Sequence, residues 1–265
     1  MATVTEFYRY LDTLAPFSMQ MDFDNAGFLV GRGERQVDRV LVSLDITEEV
    51  VREAAEAGAQ LIVSHHPVIF HPARSVTDAD PTGRILLALA EGGIAAVCVH
   101  TNLDAVAGGV NDALALSLNL ERVELLKQDG VDANGRGYGI GRVGEAPGVP
   151  RYAPAYAEFV KSALGANGVR YVDARRPVRR VAVGGGACAD MLGDALAMGC
   201  DTFVTSDVKY NGFLDAKAMG INLIDAGHFP TERVVLPVLC AWLERGFPKV
   251  AVLQSERHCE VFSYL

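Results

Sequence analysis

AAEAGAQLIVSHH, residues 54–66, closes a helix at Gly58, runs through the short apolar strand Leu61–Ser64 and ends on His65 and His66. Glycine just past the last helical residue stops a helix because it takes the left-handed conformation without a Cβ clash. Upstream, Val40–Leu44 is a β-branched run ending in Asp45, and Thr47 reads as an N-cap with Glu48 and Glu49 in the first turn. Downstream, Thr82–Glu91 reads as a helix closed by Gly92 and Gly93, Ile94–Val99 as a strand ending at His100, and Val110–Leu118 as a helix. Alternation of this kind implies a parallel sheet covered by helices.

The pattern recurs. ALAMGCDTFVTSD (195–207) has the layout of residues 54–66, and MGINLIDAGH (219–228) that of EGGIAAVCVH (91–100). Two related lobes would produce this likeness; so would the general sameness of parallel α/β units. Between the halves, residues 130–149 are rich in Gly and read as a hairpin or loop region and a boundary. Beyond it the spacing predicts helices over 154–164, 187–198, 212–219 and 230–245, and strands over 169–172, 178–183, 202–205, 221–224 and 250–253. The expected architecture is α/β: two similar lobes, residues 1–128 and 129–265, with mainly parallel sheets, the C-terminal strand free to cross over, and a site in the cleft between them.

The chain has 265 residues, half of them hydrophobic (50%), with 22% charged and 8% aromatic, which is the profile of a globular protein. No apolar run approaches the roughly 18 residues of a membrane span. The N-terminal segment MATVTEFYRYLDTLAPF reads as an amphipathic helix rather than a secretion signal. A net charge of -9 with no basic stripe argues against nucleic acid as a partner. The five cysteines form no CxxC pair and read as reduced, inert thiols, which places the protein in the cytoplasm.

Histidine is scarce, six in all, and its placement is the informative feature. Side chains just past the carboxyl ends of parallel strands face the ligand crevice. Asp45, His65, His66, His100, Asp104, Asp207, Asp225 and His228 all fall there. Neighbours on a strand point to opposite faces, so Pro67 must turn the backbone if both imidazoles are to converge. His228 and Glu232 stand four apart across a helix start, where Pro230 and Thr231 fit the first turn. Mixed imidazole and carboxylate donors suit zinc, iron, manganese, cobalt or nickel. Three imidazoles with two carboxylates exceed the needs of one tetrahedral ion, so two divalent ions per subunit are expected, ligated by His65, His66, Asp104, His228 and Glu232. His71 and His258 read as ordinary, partly exposed residues. Gly184–Gly186 lacks the Lys-Ser/Thr of a phosphate loop and reads as close strand–helix packing. Asp207 and Lys209 either line the crevice or form a loop ion pair.

FDNAGFLVG, DITEEVVREAAEAGAQLIVSHHPVIF, HTNLDAVAGGVNDALA, VAVGGGA with GCDTFVTSDVKY, and DAGHFPTE together resemble the Nif-three-like dinuclear metal-centre family, whose members are often labelled GTP cyclohydrolase type-two homologues. The likeness spans roughly residues 5–255. It implies the same five ligands, with His100 beside the metals, and a toroidal homohexamer. Phe23 stands where the family often has Trp, and Asn211 where it often has His, which would remove any step that histidine serves. The expected function is a metal-dependent hydrolase of a nucleotide, cyclic amide or phosphoester, with His100 or Asp207 handling protons. The alternative is a metal carrier or regulatory binding protein whose ligands trade metal without turnover.

Overall fold

The structure, a computed structural model, describes residues 2–149 and 151–265. Two compact units divide at Asp104. The first runs to Leu103 and takes up Leu236–Cys259 again; the second comprises Asp104–Val235 and Glu260–Leu265. Among the described residues no helix is long and apolar enough to cross a membrane.

The first unit is built on a five-stranded sheet. Its order is Ala251–Gln254, Arg39–Ser43, Leu61–Ser64, Ala95–Cys98 and Gly27–Val30. The first four strands are parallel. The last is antiparallel, pairing Gly27 with Cys98 and Phe28 with Val97. The FDNAGFLVG stretch, residues 23–31, therefore contains a strand. Its apolar core is only Phe-Leu-Val between two glycines, too short to show a period. The C-terminal strand returns to Arg39–Ser43 in register, Val252 opposite Val40. Thr47 caps helix Glu48–Ala57 by accepting a hydrogen bond from Val50 N–H, and Gly58 ends it in the left-handed region. That helix buries Val50 and Ala54 against Leu41, Ile62, Leu89 and Ala96.

The second unit holds a six-stranded sheet in the order Arg170–Val172, Asn222–Asp225, Thr202–Thr205, Arg180–Val183, Arg142–Glu145, Glu121–Leu125. Its three central strands run parallel, and both flanks are antiparallel. The Gly-rich stretch from residue 130 does hold a short hairpin, Gly130–Val131 with Gly137–Tyr138. It also supplies an inner strand, Arg142–Glu145, where a loop was expected. Gly144 hides that strand from a propensity reading, yet it is required: a Cβ there would sit 2.9 Å from Leu120 Cβ. Leu114, Leu118, Tyr156, Val160, Val181 and Ile224 form this unit's core.

Two long helices expected from periodicity break up. Residues 187–198 become a 3-10 turn, Ala189–Met191, and the short helix Leu192–Ala197. Residues 230–245 become helix His228–Glu232, a 3-10 turn at Arg233–Val235 and helix Leu236–Gly246. His228 thus lies inside a helix rather than ahead of it, on the face it shares with Glu232.

Candidate metal centre

In the first unit three imidazoles converge. One ring nitrogen from each of His65, His66 and His100 lies within 4.8 Å of the others. The ring centroids of His65 and His66 are 4.9 Å apart, and those of His65 and His100 5.2 Å. Two consecutive residues reach one place because the backbone leaves the strand. Both His65 N–H and His66 N–H donate to Leu44 O, at 3.1 and 2.8 Å. Ser64 Oγ donates to His66 O at 2.8 Å, closing the turn before Pro67.

Each ring is held by its Nδ1. His65 Nδ1 lies 2.9 Å from Val99 O, an acceptor only, so the proton sits on Nδ1 and the lone pair on Nε2. His66 Nδ1 meets Asp45 Oδ1 at 2.8 Å, and His100 Nδ1 meets Asp24 Oδ1 at 2.6 Å. A metal-ligating histidine is oriented in this way, its distal nitrogen turned into the tautomer that coordinates.

Asp24 and Asp45 do more than accept one bond each. Asp24 also accepts from Thr101 N–H and Thr101 Oγ1, at 3.0 and 2.5 Å. Burial alone would raise its pKa. Hydrogen bonds from His100 and Thr101 and the His100 charge outweigh that and hold it at about 2. Asp45 bridges His66 Nδ1 and His258 Nε2, the latter at 3.1 Å. Burial opposes its ionisation too, but the bonds from His258 and His66 hold it well below the usual carboxylate range. His258 was expected to be a partly exposed residue of no account; its side chain is only 6% exposed and completes this chain of contacts.

The depressed Asp24 carboxyl carries a stability consequence. A group ionising at about 2 in the fold and near 3.8 in the open chain adds about 2 kcal/mol above pH 4, and that increment fades as pH falls from 4 toward 2. Asp24→Asn should therefore lower stability by about that amount at pH 7, with the gap to wild type closing in acid. Denaturant melts at pH 7 and pH 3 check this.

In the second unit a carboxylate–imidazole cluster forms. His228 Nε2 lies 3.0 Å from Glu232 Oε2, and carboxylate oxygens of Asp104 and Glu232 approach within 4.8 Å. Asp104 sits on the short helix Thr101–Ala105. His228 Nδ1 is held by Asp207 Oδ2 at 2.6 Å, so Asp207 orients a ligand candidate, and any proton role it has runs through that pair. Asp207 has φ of 53°, a left-handed value costly for a residue other than glycine. Asp225 sustains it: its Oδ2 accepts from Val208 N–H and its Oδ1 from Gly227 N–H, both at 3.1 Å. One carboxylate thus ties the loop bearing Asp207 to the N-cap of the helix that carries His228.

The triple glycine 184–186 belongs to this cluster. A Cβ on Gly186 would collide with Glu232 Oε1, and would stand 3.0 Å from Glu232 Cδ and 3.4 Å from His228 Nε2. Thr231 Oγ1 accepts from Gly186 N–H at 3.1 Å, and Asn111 Oδ1 accepts from Gly185 N–H at 3.0 Å. Asn111 Nδ2 in turn donates to Asp104 O at 3.0 Å. Asn111 and Thr231 are both fully buried. These positioning residues stand in the motifs HTNLDAVAGGVNDALA and GHFPTE, where the sequence suggests only a helix-start place for Thr231 and no role for Asn111; a buried polar side chain inside a ligand motif is the signal that points to them. Cys188 is pushed well up by burial and by the charges of Asp104 and Glu232, so it is a neutral thiol beside the carboxylates.

Asp45→Asn should weaken metal binding about 10- to 100-fold, since the supporting carboxylate sets the basicity and tautomer of His66. Competition with a chromogenic chelator measures it; an unchanged affinity would remove Asp45 from the account.

The chemistry of the donor sets fits transition metals. Imidazoles held with the proton on Nδ1 and the lone pair on Nε2, together with buried carboxylates, are the ligands of borderline divalent ions. Asn211, exposed at the start of helix Tyr210–Met219, brings no imidazole to that helix.

Comparison with known proteins agrees with this reading of the fold. The chain is 35% identical over 234 residues to the GTP cyclohydrolase 1 type 2 homolog of Clostridium perfringens, covering 88% of each chain. It superposes on a Staphylococcus aureus protein of solved structure with a TM-score of 0.91 at 29% identity, covering 99% of both. A Bacillus cereus protein related to NIF3 has the same fold, with a TM-score of 0.94 at 24% identity, covering 100% of this chain and 99% of that one. The profile of the Duf34/NIF3 (NGG1p interacting factor 3) family matches residues 2–260, and the chain belongs to that family.

Proposed function

We propose that the protein is a metal-dependent hydrolase in which His65, His66, Asp104, His228 and Glu232 hold two divalent ions. The observation that carries this reading is the uniform anchoring of His65, His66 and His228 through Nδ1, by Val99 O, Asp45 and Asp207. Three histidines on two separate chain segments share one device, and that device serves metal ligation. Such ions, when bound, polarise an electrophilic group and acidify water.

The chain's own residues supply the rest. Asp24 keeps His100 oriented through its Nδ1, so His100 is placed to take a proton from water and return it to a leaving group. Asp207 and Asp225 hold His228 in place. Substrates compatible with this chemistry are a nucleotide, a cyclic amide or a phosphoester. The name of the clostridial relative, a GTP cyclohydrolase 1 type 2 homolog, favours the first. A cytoplasmic homohexamer belongs to the same proposal; the absence of disulfides among the described cysteines fits a reducing compartment.

The test is turnover against nucleotides, cyclic amides and phosphoesters, before and after chelation and on re-addition of each candidate metal. Turnover lost with metal and restored by it supports a hydrolase. Rapid metal exchange with no turnover on any substrate overturns it in favour of a carrier.

A further inference from the structure

Phe23 and Phe70 are large apolar side chains left in solvent, 64% and 40% exposed. Scattered exposed apolar residues need no explanation, but these two are together. Their rings meet edge to face with centroids 6.4 Å apart at 66°. Phe70 also packs edge-on to His100 at 6.0 Å and 82°, so the pair borders the three-imidazole cluster. Their loops are fastened. Asn25 Nδ2 donates to Ile69 O at 2.6 Å, joining the two segments next to the two rings. Asp24, adjacent to Phe23, is bound to His100 and Thr101. Met21 N–H donates to Thr101 Oγ1 at 2.9 Å, and Ala26 N–H to Gln20 Oε1 at 2.9 Å. A mobile loop would expose phenyl rings by default. These rings are held in the open by a hydrogen-bonded frame, beside groups suited to chemistry, which is the arrangement of a preformed aromatic platform.

We propose that Phe23 and Phe70 form a stacking platform for a planar heteroaromatic ring of the substrate, placing that ring beside His100. This rests on the hydrolase reading above and narrows it: among the compatible substrates, those with an aromatic base are bound and simple phosphoesters are not retained. The platform recognises a π-face rather than a hydrogen-bond pattern, so it tolerates different fused rings and leaves their discrimination to other groups.

The experiment compares guanosine monophosphate and adenosine monophosphate with ribose 5-phosphate, which carries the same phosphate and sugar without a base. Dissociation constants are measured by calorimetry on the metal-loaded protein, with metal content and subunit number read on the same samples. Wild type should bind both nucleotides at least about tenfold more tightly than ribose 5-phosphate. The Phe23→Ala/Phe70→Ala double variant should lose that preference, with unchanged metal content, and Phe23→Trp/Phe70→Trp should retain it. No preference in wild type, or a preference surviving the double alanine variant, overturns the platform. So does a double variant that changes subunit number while keeping its nucleotide preference, since the rings would then serve an interface. Metal-loaded protein without ring preference sinks the platform and spares the metal site; ring preference in protein that holds no metal does the reverse.

Discussion

Gly186→Ala should cost the protein at least one bound metal ion and about 1–3 kcal/mol of stability. Two effects add. Gly186 has φ of 67°, which an alanine adopts only at a cost. Its new Cβ would also collide with Glu232 Oε1 and press on His228 Nε2 at 3.4 Å. Glu232 cannot swing away cheaply: its side chain is only 4% exposed, and a buried carboxylate moved from its setting leaves an uncompensated charge. Neither side chain can then keep its position. Gly193→Ala is the control, because a Cβ there meets nothing within 4 Å and the residue sits inside helix Leu192–Ala197. That change should be neutral or raise stability by up to about 1 kcal/mol. Thermal melts and metal content on both variants check the pair. Full metal content in Gly186→Ala would mean the glycine cradle plays no part in the site.

The second large effect is expected from the double variant His66→Ala/Asp104→Ala, which takes one donor from each cluster. His66 is the imidazole fixed by Asp45, and Asp104 the carboxylate within 4.8 Å of Glu232. Metal content should fall to near zero. Turnover on whichever substrate wild type hydrolyses should fall at least about 10³-fold, the equivalent of about 4 kcal/mol of lost transition-state stabilisation. The fold should survive, since both residues lie outside the two apolar cores, and circular dichroism verifies that. Equal turnover in metal-free variant and wild type would refute metal dependence.

Strand-end chemistry was legible in the sequence because it follows from local pattern. An apolar strand followed by His65-His66-Pro67 announces both its element and its outlook, and Gly227-His228 repeats the announcement. The caps at Thr47 and Gly58 were equally readable. What escaped was everything set by distant partners. His258 gains its role only by meeting Asp45, which no spacing encodes. Asn111 and Thr231 act through backbone N–H groups of Gly185 and Gly186, far off along the chain. Strands Gly27–Val30 and Arg142–Glu145 are too short and too glycine-bound to show a two-residue period, and tertiary pairing overrides the weak propensity. The compact units also divide at Asp104 with a return at Leu236, whereas the sequence halves were drawn at 128 and 129. The Gly-rich stretch read as a hairpin or loop at the boundary does hold a hairpin, but it lies within the second unit and also supplies an inner strand.

The most direct measurement is metal stoichiometry of freshly purified protein, wild type beside His65→Ala, His66→Ala, Asp104→Ala, His228→Ala and Glu232→Gln, by elemental analysis. Two divalent ions per chain in wild type, with each variant short of at least one, is the expected result. Wild type without metal after purification and reloading, or Glu232→Gln retaining both ions at wild-type affinity, would contradict it.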